Sequence, residues 1–125
     1  MASKPDQVLL GSADPTFRGD VTRFNPEELL LAALSQCHLL SYLHACVLAG
    51  VVVVDYTDRA SGTMITTPDG GGHFTKAILQ PTVTIAAGSD PAAAEHAHQT
   101  ANAMCFIANS VNFPVHHEPT ILIAG

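Results

Sequence analysis

The feature that most constrains this chain is a run of 26 residues, positions 29–54, without a single Asp, Glu, Lys or Arg. A stretch of that length and composition is long enough to cross a membrane. However, no lysine or arginine follows it closely to act as an anchor. Polar side chains also interrupt it at Ser35, Gln36, His38, Ser41 and His44. We therefore interpret most of it as a helix buried on nearly all sides, and we expect no membrane partner.

The composition of the whole chain favours one folded domain with a subunit interface. The 125 residues suffice for a single domain, here predicted over positions 1–125. Apolar residues make up 47% and charged residues only 13%, too few to cover the surface of a monomer comfortably. The net charge of −6, with no basic run, argues against nucleic acid as a partner.

The sequence predicts the N-termini of two helices. Asn25 and Pro26 combine a capping residue with a proline at the first helical position, and Gly50 gives a helix end. Ser89, Asp90 and Pro91 open a second helix in the same way, which continues to about position 104. Whether this helix passes through Cys105 is left open by the pattern.

Short apolar or β-branched segments between and after the helices predict strands. They cover positions 51–56, 60–67, 73–79, 82–86 and 120–124, with a possible strand at 8–10. The glycines at 70–72 predict a hairpin turn. The chain is therefore predicted to adopt an α+β fold in which antiparallel strands pack on a long buried central helix and a second helix.

The three cysteines are predicted to be free thiols. Their number is odd, and the N-terminal residues lack the apolar core of a secretory signal, so we expect a reducing compartment such as the cytoplasm. Cys37 and Cys46 are nine residues apart on one helix and face opposite sides. Cys105 is then the only same-chain partner available to Cys37. By spacing alone, Cys37 also fits the description of a small core residue.

Two segments that contain these cysteines resemble a known family. Residues 25–38 look like the signature helix of the OsmC/Ohr proteins, which are osmotically induced or confer resistance to organic hydroperoxides. Residues 101–111 are similar to the family's second helix with its second cysteine, and the 68-residue gap between Cys37 and Cys105 is similar as well. The resemblance covers about positions 12–123.

The resemblance implies a thiol peroxidase that takes part in the oxidative stress response. Cys37 would be the peroxidatic cysteine, Cys105 the resolving cysteine, and Glu27 the acid that holds a catalytic arginine. Arg18 matches the family's spacing better than its competitor Arg23. The implied substrate is an organic hydroperoxide, the implied reductant is a dithiol similar to lipoamide, and no cofactor or metal is implied.

The family resemblance further implies an intertwined homodimer, although this chain has fewer residues before the arginine than family members of similar kind, so its N-terminal strands are expected to be shortened. Glu27 and Cys37 are ten residues apart on one straight helix, about 15 Å along its axis. An arginine held by Glu27 would hardly reach Cys37 of the same chain. We therefore expect an active site built from two subunits, unless the helix bends.

The chemistry of Cys37 can also be predicted from residue types. A thiol with an ordinary pKa of about 8.5 is only a few per cent thiolate at neutral pH. Because Cys37 lies about eleven residues into its helix, the helix dipole cannot help, and we expect a cation, Arg18, to lower its pKa. Side chains near Cys37 on the helical wheel are expected to bind substrate: Leu34, Leu40 and Ser41.

Two competing interpretations remain open at this stage. The fold could serve a non-enzymatic protein that binds a small molecule in a pocket at the dimer interface, with cysteines that merely line it. The seven histidines raise the question of a metal site, but none of them forms the i, i+4 pair that holds zinc on a helix. We therefore expect solvated or internally bonded histidines and no metal ligands.

Overall fold

The structure is a computed structural model that describes residues 4–125. Backbone contacts divide the chain into two compact units, Met1–Leu30 and Leu31–Gly125. Over its described residues, 4–30, the first contains one 3₁₀ turn, Pro15–Phe17, and the start of the first helix. The second contains the rest of that helix, a second helix and six strands. Each unit is described separately below.

Short polar contacts organise residues 4–30 of the first unit, and none of these residues belongs to an apolar core cluster. Asp14 caps the 3₁₀ turn by accepting a hydrogen bond from the N–H of Thr16 at 2.8 Å. Asn25 and Glu28 form a reciprocal capping box, in which each side chain accepts from the other residue's N–H, at 2.8 and 3.0 Å. The predicted capping role of Asn25 is thereby confirmed.

The long helix α1 spans Pro26–Ala49 and supplies the core of the second unit. The helix stops just before Gly50, whose φ of +73° is a conformation that glycine adopts at little cost, so the predicted stop is confirmed. By length and composition α1 could cross a membrane. Several of its side chains instead pack inside the fold: Leu34, His38, Tyr42, Ala45 and Cys46.

Six strands form two three-stranded sheets. In chain order they are β1 (Val53–Asp58), β2 (Ser61–Thr66), β3 (Gly72–Leu79), β4 (Pro81–Ile85), β5 (Val115–His117) and β6 (Thr120–Ile123). One sheet has the order β1-β4-β6 and the other β2-β3-β5. The predicted hairpin turn joins β2 to β3. Helix α2 spans Pro91–Met104, between β4 and β5, with Asp90 as its N-cap.

The α+β fold with two helices is confirmed, with one difference in strand direction. The pairs β1–β4 and β2–β3 are antiparallel as predicted, but β3–β5 and β4–β6 are parallel. Strands β5 and β6 follow the long connection through α2, which allows a strand to enter a sheet in the parallel direction. Strand β5 had no counterpart in the sequence prediction, and the possible strand at positions 8–10 does not form.

Two apolar clusters share α1. Its C-terminal half contributes Tyr42, Ala45 and Cys46 to a cluster with α2 and the β1-β4-β6 sheet. Its N-terminal half contributes Leu34 to a second cluster with Ala77 and Leu79 of the other sheet. His38 lies on the buried face of α1 between these positions. The middle of α1, where Cys37 lies, is therefore the place where both packing arrangements meet.

Candidate thiol site

The structure brings Cys37 and Cys105 together from positions 68 residues apart. Cys37 lies in the middle of α1, and its thiol lies close enough to the thiol of Cys105 for each to shift the pKa of the other. Both are free cysteines, Cys37 half-buried and Cys105 buried. The third cysteine, Cys46, is buried beside Tyr42 in the other cluster. The structure thus joins the two cysteines that the sequence analysis paired.

The turn after α2 places Cys105 at this site. Helix α2 ends at Met104, and Cys105 leaves the helix with extended backbone angles, which settles the question left open by the sequence. The N–H of Asn109 donates to the carbonyl of Cys105 at 3.0 Å, and the Ser110 hydroxyl donates to the carbonyl of Phe106 at 2.7 Å. These bonds hold residues 105–110 in a compact turn over the middle of α1.

The surroundings of the two thiols shift their pKa values in opposite directions. Partial burial raises the pKa of Cys37. Four neighbouring groups lower it and outweigh the burial: the N–H groups of Ile107 and Phe106, the Cys105 thiol and the Ser41 hydroxyl. The pKa of Cys37 therefore lies below its ordinary value. Burial raises the pKa of Cys105, and the neighbouring Cys37 adds to the rise. Of the pair, Cys37 is therefore the better thiolate nucleophile.

This lowering of the Cys37 pKa differs from the expectation that a cation is required. The donors are neutral groups, two of them backbone N–H groups of the turn after Cys105. Backbone N–H groups favour a thiolate as they favour other anions. The sequence carried no signal for them, because the direction of an N–H is set by the path of the backbone.

The residues expected to bind substrate have three different environments. Ser41 lies one helical turn after Cys37 and its hydroxyl contacts the thiol. Leu40 is 60% exposed. Leu34 is completely buried in the apolar cluster with Ala77 and Leu79, so in this chain it packs the core and offers no surface to a substrate.

The structure does not pair Arg18 with Glu27. Arg18 is exposed, follows the 3₁₀ turn with a left-handed φ of 66°, and lies in the first unit with Glu27. Within residues 4–125 the one ion pair joins Arg23 Nε to Asp20 at 3.6 Å, with both side chains 49% exposed. The catalytic arginine, and its support by Glu27, therefore stay predictions.

A group of histidines was missed by the sequence analysis. His38 from α1 and His98 from α2 are buried, and His38 Nε2 lies 2.9 Å from His98 Nδ1. His117 from β5 packs against His38 with 4.3 Å between ring centres. Three different elements supply these rings, so helical spacing within one element could not reveal them.

The expectation of solvated or internally bonded histidines is met only in part here: His38 and His98 are buried, His117 is half-buried, and each ring has a nitrogen without a partner among residues 4–125. Among the described residues, His38 Nδ1, His98 Nε2 and His117 Nε2 are buried without a hydrogen-bond partner. Burial lowers the pKa of His38 to about 3 and that of His98 to about 4, with the neighbouring imidazoles adding to the shift. Within residues 4–125, no three His, Cys, Asp or Glu side chains are arranged to hold a metal ion.

Comparisons with known proteins agree with the fold. The family described as OsmC-like protein matches residues 18–120, a span that includes both Cys37 and Cys105. No curated protein matches the chain.

Solved structures resemble the chain over most of its length. An OsmC-like protein of unknown function from Vibrio cholerae is 35% identical, with a TM-score of 0.80, covering 89% of this chain and 76% of that one. An organic hydroperoxide resistance protein OsmC from Legionella pneumophila is 18% identical, with a TM-score of 0.68, covering 89% and 78%. An organic hydroperoxide resistance protein from Elizabethkingia anophelis is also 18% identical with a TM-score of 0.68, covering 90% and 78%.

Proposed function

This chain belongs to the family of OsmC-like proteins, and from that premise we propose that it is a thiol peroxidase that reduces organic hydroperoxides. The observation that carries the proposal is the proximity of the Cys37 and Cys105 thiols, of which Cys37 has the lowered pKa. Similar folds named for organic hydroperoxide resistance support it.

The proposed reaction proceeds in three balanced steps. The Cys37 thiolate attacks the terminal oxygen of the hydroperoxide, the O–O bond breaks, and the alkoxide takes a proton to leave as the alcohol. The resulting Cys37 sulfenic acid condenses with the Cys105 thiol, forming a disulfide and releasing water. An external dithiol of the lipoamide kind then reduces the disulfide by exchange and is itself oxidised.

The site is proposed to be completed by a second copy of the chain. The side of α1 away from the core carries large apolar side chains exposed to solvent: Leu40, Leu43, Val47 and Leu48. Apolar surface of this extent on an α-helix favours burial against another protein surface. In the homodimer, Arg18 of one subunit, held by its Glu27, would stand near Cys37 of the other and stabilise charge on the departing oxygen.

The exposed groups near the thiols favour an organic substrate. Phe106, which follows Cys105, is 79% exposed, and Leu40 is 60% exposed. When an alkyl or aryl group covers such side chains, the binding free energy improves by about 25 cal/mol per Å² of apolar surface removed from water. Hydrogen peroxide has no apolar group and cannot gain this free energy. Because the thiols must be reduced between turnovers, we place the reaction in the cytoplasm.

The first test is mass analysis after one equivalent of tert-butyl hydroperoxide. Free thiols are then alkylated and the peptides are mapped. We expect a rapid loss of two hydrogens that maps to a Cys37–Cys105 disulfide. A Cys105→Ser variant is expected to stop at the sulfenic acid, which a dimedone adduct on Cys37 reports.

Matched controls separate this reaction from general oxidation. Cys46→Ser removes a buried thiol outside the site and is expected to leave the rate unchanged, whereas Cys37→Ser abolishes it. Equal rates with hydrogen peroxide would refute the substrate class alone. Slow oxidation of all three thiols, indifferent to the peroxide, would instead favour a non-enzymatic protein that binds small molecules.

The two-subunit site has its own test. A mixture of subunits carrying Arg18→Ala with subunits carrying Cys37→Ser contains dimers in which one site retains both residues. We expect such mixtures to regain activity that neither variant has alone. Full activity in a strictly monomeric preparation would contradict the shared site.

A further inference from the structure

The proposed disulfide between Cys37 and Cys105 has two sulfurs through which a reductant could open it. In thiol–disulfide exchange the incoming thiolate bonds to one sulfur, and the other sulfur departs as a thiolate. The attacked sulfur then carries the mixed disulfide, so the choice decides which cysteine is bound to the reductant and which is released first. Access to each sulfur and the stability of each departing thiolate govern this choice. The two cysteines differ in both respects.

Access from solvent differs strongly between the two cysteines. Cys105 is 1% exposed, whereas Cys37 is half-buried and keeps part of its surface in contact with solvent. The turn after Cys105 lies against its sulfur, because the N–H of Ala108 donates to that sulfur at 3.5 Å. The N–H of Asn109 donates to the Cys105 carbonyl at 3.0 Å. A reductant can therefore reach Cys37 from solvent, but it reaches the sulfur of Cys105 only if the surrounding structure opens.

Further hydrogen bonds hold the turn in this closed form. The side-chain amide of Asn109 donates to the carbonyl of Ala103, near the end of α2, at 3.1 Å. The Ser110 hydroxyl donates to the carbonyl of Phe106 at 2.7 Å. Moving the turn away from Cys105 breaks several of these bonds together, so the open form is a minor population.

The stability of a departing Cys105 thiolate depends on the state of Cys37. In the reduced protein, burial raises the pKa of Cys105, and the neighbouring Cys37 thiol adds to the rise. In a mixed disulfide Cys37 has neither an S–H group nor a charge, so its contribution to the rise is absent. The N–H groups of Ala108 and Ile107 lower the pKa of Cys105 and belong to the same turn. These donors stabilise the Cys105 thiolate as it leaves.

We propose that the reducing dithiol attacks the sulfur of Cys37, so that the mixed disulfide forms on Cys37 and Cys105 leaves as a thiolate that takes up a proton. This inference rests on the proposed function, because it concerns the disulfide that the peroxidase reaction forms. The second thiol of the reductant, as a thiolate, then attacks the reductant's own sulfur in the mixed disulfide. The reductant leaves as a cyclic disulfide, oxidised by two electrons, and Cys37 is released as a thiolate. Because its pKa is lowered, Cys37 is a good leaving group for this last step.

The test locates the mixed disulfide with 2-mercaptoethanol, a small uncharged monothiol that cannot form a cyclic disulfide. A Cys46→Ser protein is oxidised with one equivalent of tert-butyl hydroperoxide, mixed with excess 2-mercaptoethanol and stopped with acid after short intervals. Exchange ceases in acid because thiolates are absent. Peptic peptides then show by mass which cysteine carries the adduct. We expect at least about ten times more adduct on Cys37 than on Cys105. Equal amounts, or more on Cys105, would overturn the proposal.

A second measurement compares access to the two sulfurs without the disulfide. Cys46→Ser is combined either with Cys105→Ser, which leaves Cys37, or with Cys37→Ser, which leaves Cys105. Each variant reacts with dithiodipyridine, whose coloured product reports the rate, both folded and unfolded in urea. The rates are measured over a range of pH and compared per thiolate, which removes the effect of the pKa. We expect folding to slow Cys105 at least about tenfold and Cys37 much less. Similar slowing of both cysteines would contradict the proposed role of access.

The outcomes separate this inference from the peroxidase proposal. If tert-butyl hydroperoxide forms no Cys37–Cys105 disulfide, the peroxidase proposal fails. Diamide, which oxidises paired thiols without transferring oxygen, then supplies the disulfide for the same mapping. If the hydroperoxide forms the disulfide but the adduct lies on Cys105, the peroxidase proposal stands and the proposed site of attack is wrong.

Discussion

Acid should unfold this protein in a pH range set by its buried histidines. Burial, together with the neighbouring imidazoles, lowers the pKa of His38 to about 3 and that of His98 to about 4, from an ordinary value of 6.5. In the unfolded chain both rings take up a proton at about pH 6.5. The unfolded state therefore binds more protons below that pH, and the stability present above it is lost as the pH falls toward 4 and 3.

The size of the effect follows from these values. Between about pH 8 and about pH 5, each ring lowers the free energy of unfolding by about RT ln(1 + 10^1.5), or about 2 kcal/mol. The two rings together give about 4 kcal/mol, a large part of the 5–15 kcal/mol that stabilises most domains. The pKa of His117 is also lowered by burial, although Asp58 opposes the shift, so His117 adds to the loss.

The assay is urea unfolding followed by circular dichroism at several pH values between about 8 and 5, at fixed ionic strength and protein concentration. We expect the free energy of unfolding to fall by at least about 2.7 kcal/mol per pH unit below about pH 6, which corresponds to the uptake of two protons by His38 and His98, with His117 adding to it. His98→Gln removes one titrating ring and should reduce the slope by about 1.4 kcal/mol per pH unit, the contribution of one proton. His96→Gln, at an exposed position, should keep it. A free energy of unfolding that does not change over this range would refute the reasoning.

Three further predictions concern single side chains. Ser41→Ala removes a hydroxyl donor from the Cys37 thiol, so the pKa of Cys37 should rise and its alkylation by iodoacetamide at neutral pH should slow a few-fold. Ser35→Ala on the same helix is the control. Equal alkylation rates in the Ser41→Ala variant and the unchanged protein would contradict the contact. Asn25→Ala removes the cap of α1 and should lower the free energy of unfolding by about 1 kcal/mol, measured by urea unfolding. Leu34→Ala empties a fully buried position and should cost about 2–5 kcal/mol in the same assay, whereas a loss below 1 kcal/mol would show that the cluster collapses around it.

Local signals in the sequence were sufficient for the helices and for most strands. Asn25 and Pro26 mark the start of α1, and Gly50 marks its end, because capping, a fixed proline φ and a positive glycine φ act within a few residues. Strand β5 escaped prediction because it has three residues and forms only through parallel pairing with β3. Pairing between distant segments leaves no periodic trace in so short a strand.

The proximity of the two cysteines could be predicted from the sequence, but the groups that set the pKa of Cys37 could not. The positions of Cys37 and Cys105 were identified from motif and spacing, and the structure joins them. The donors that lower the pKa of Cys37 are partly the backbone N–H groups of Phe106 and Ile107, which every non-proline residue possesses. Their importance arises only from the turn after α2. The buried histidines were missed for a related reason, since three elements meet there.

The position of α1 between two apolar clusters has a consequence for how the second unit comes apart. Leu34 is needed by one cluster and Tyr42 by the other, yet only two helical turns separate them. If either sheet detached, α1 would lose packing contacts that hold it in place against the other cluster. Local opening of one sheet therefore costs free energy in both clusters. Amide protons along residues 34–46 should exchange together, at the rate of global unfolding. The helix makes the two sheets a single cooperative unit.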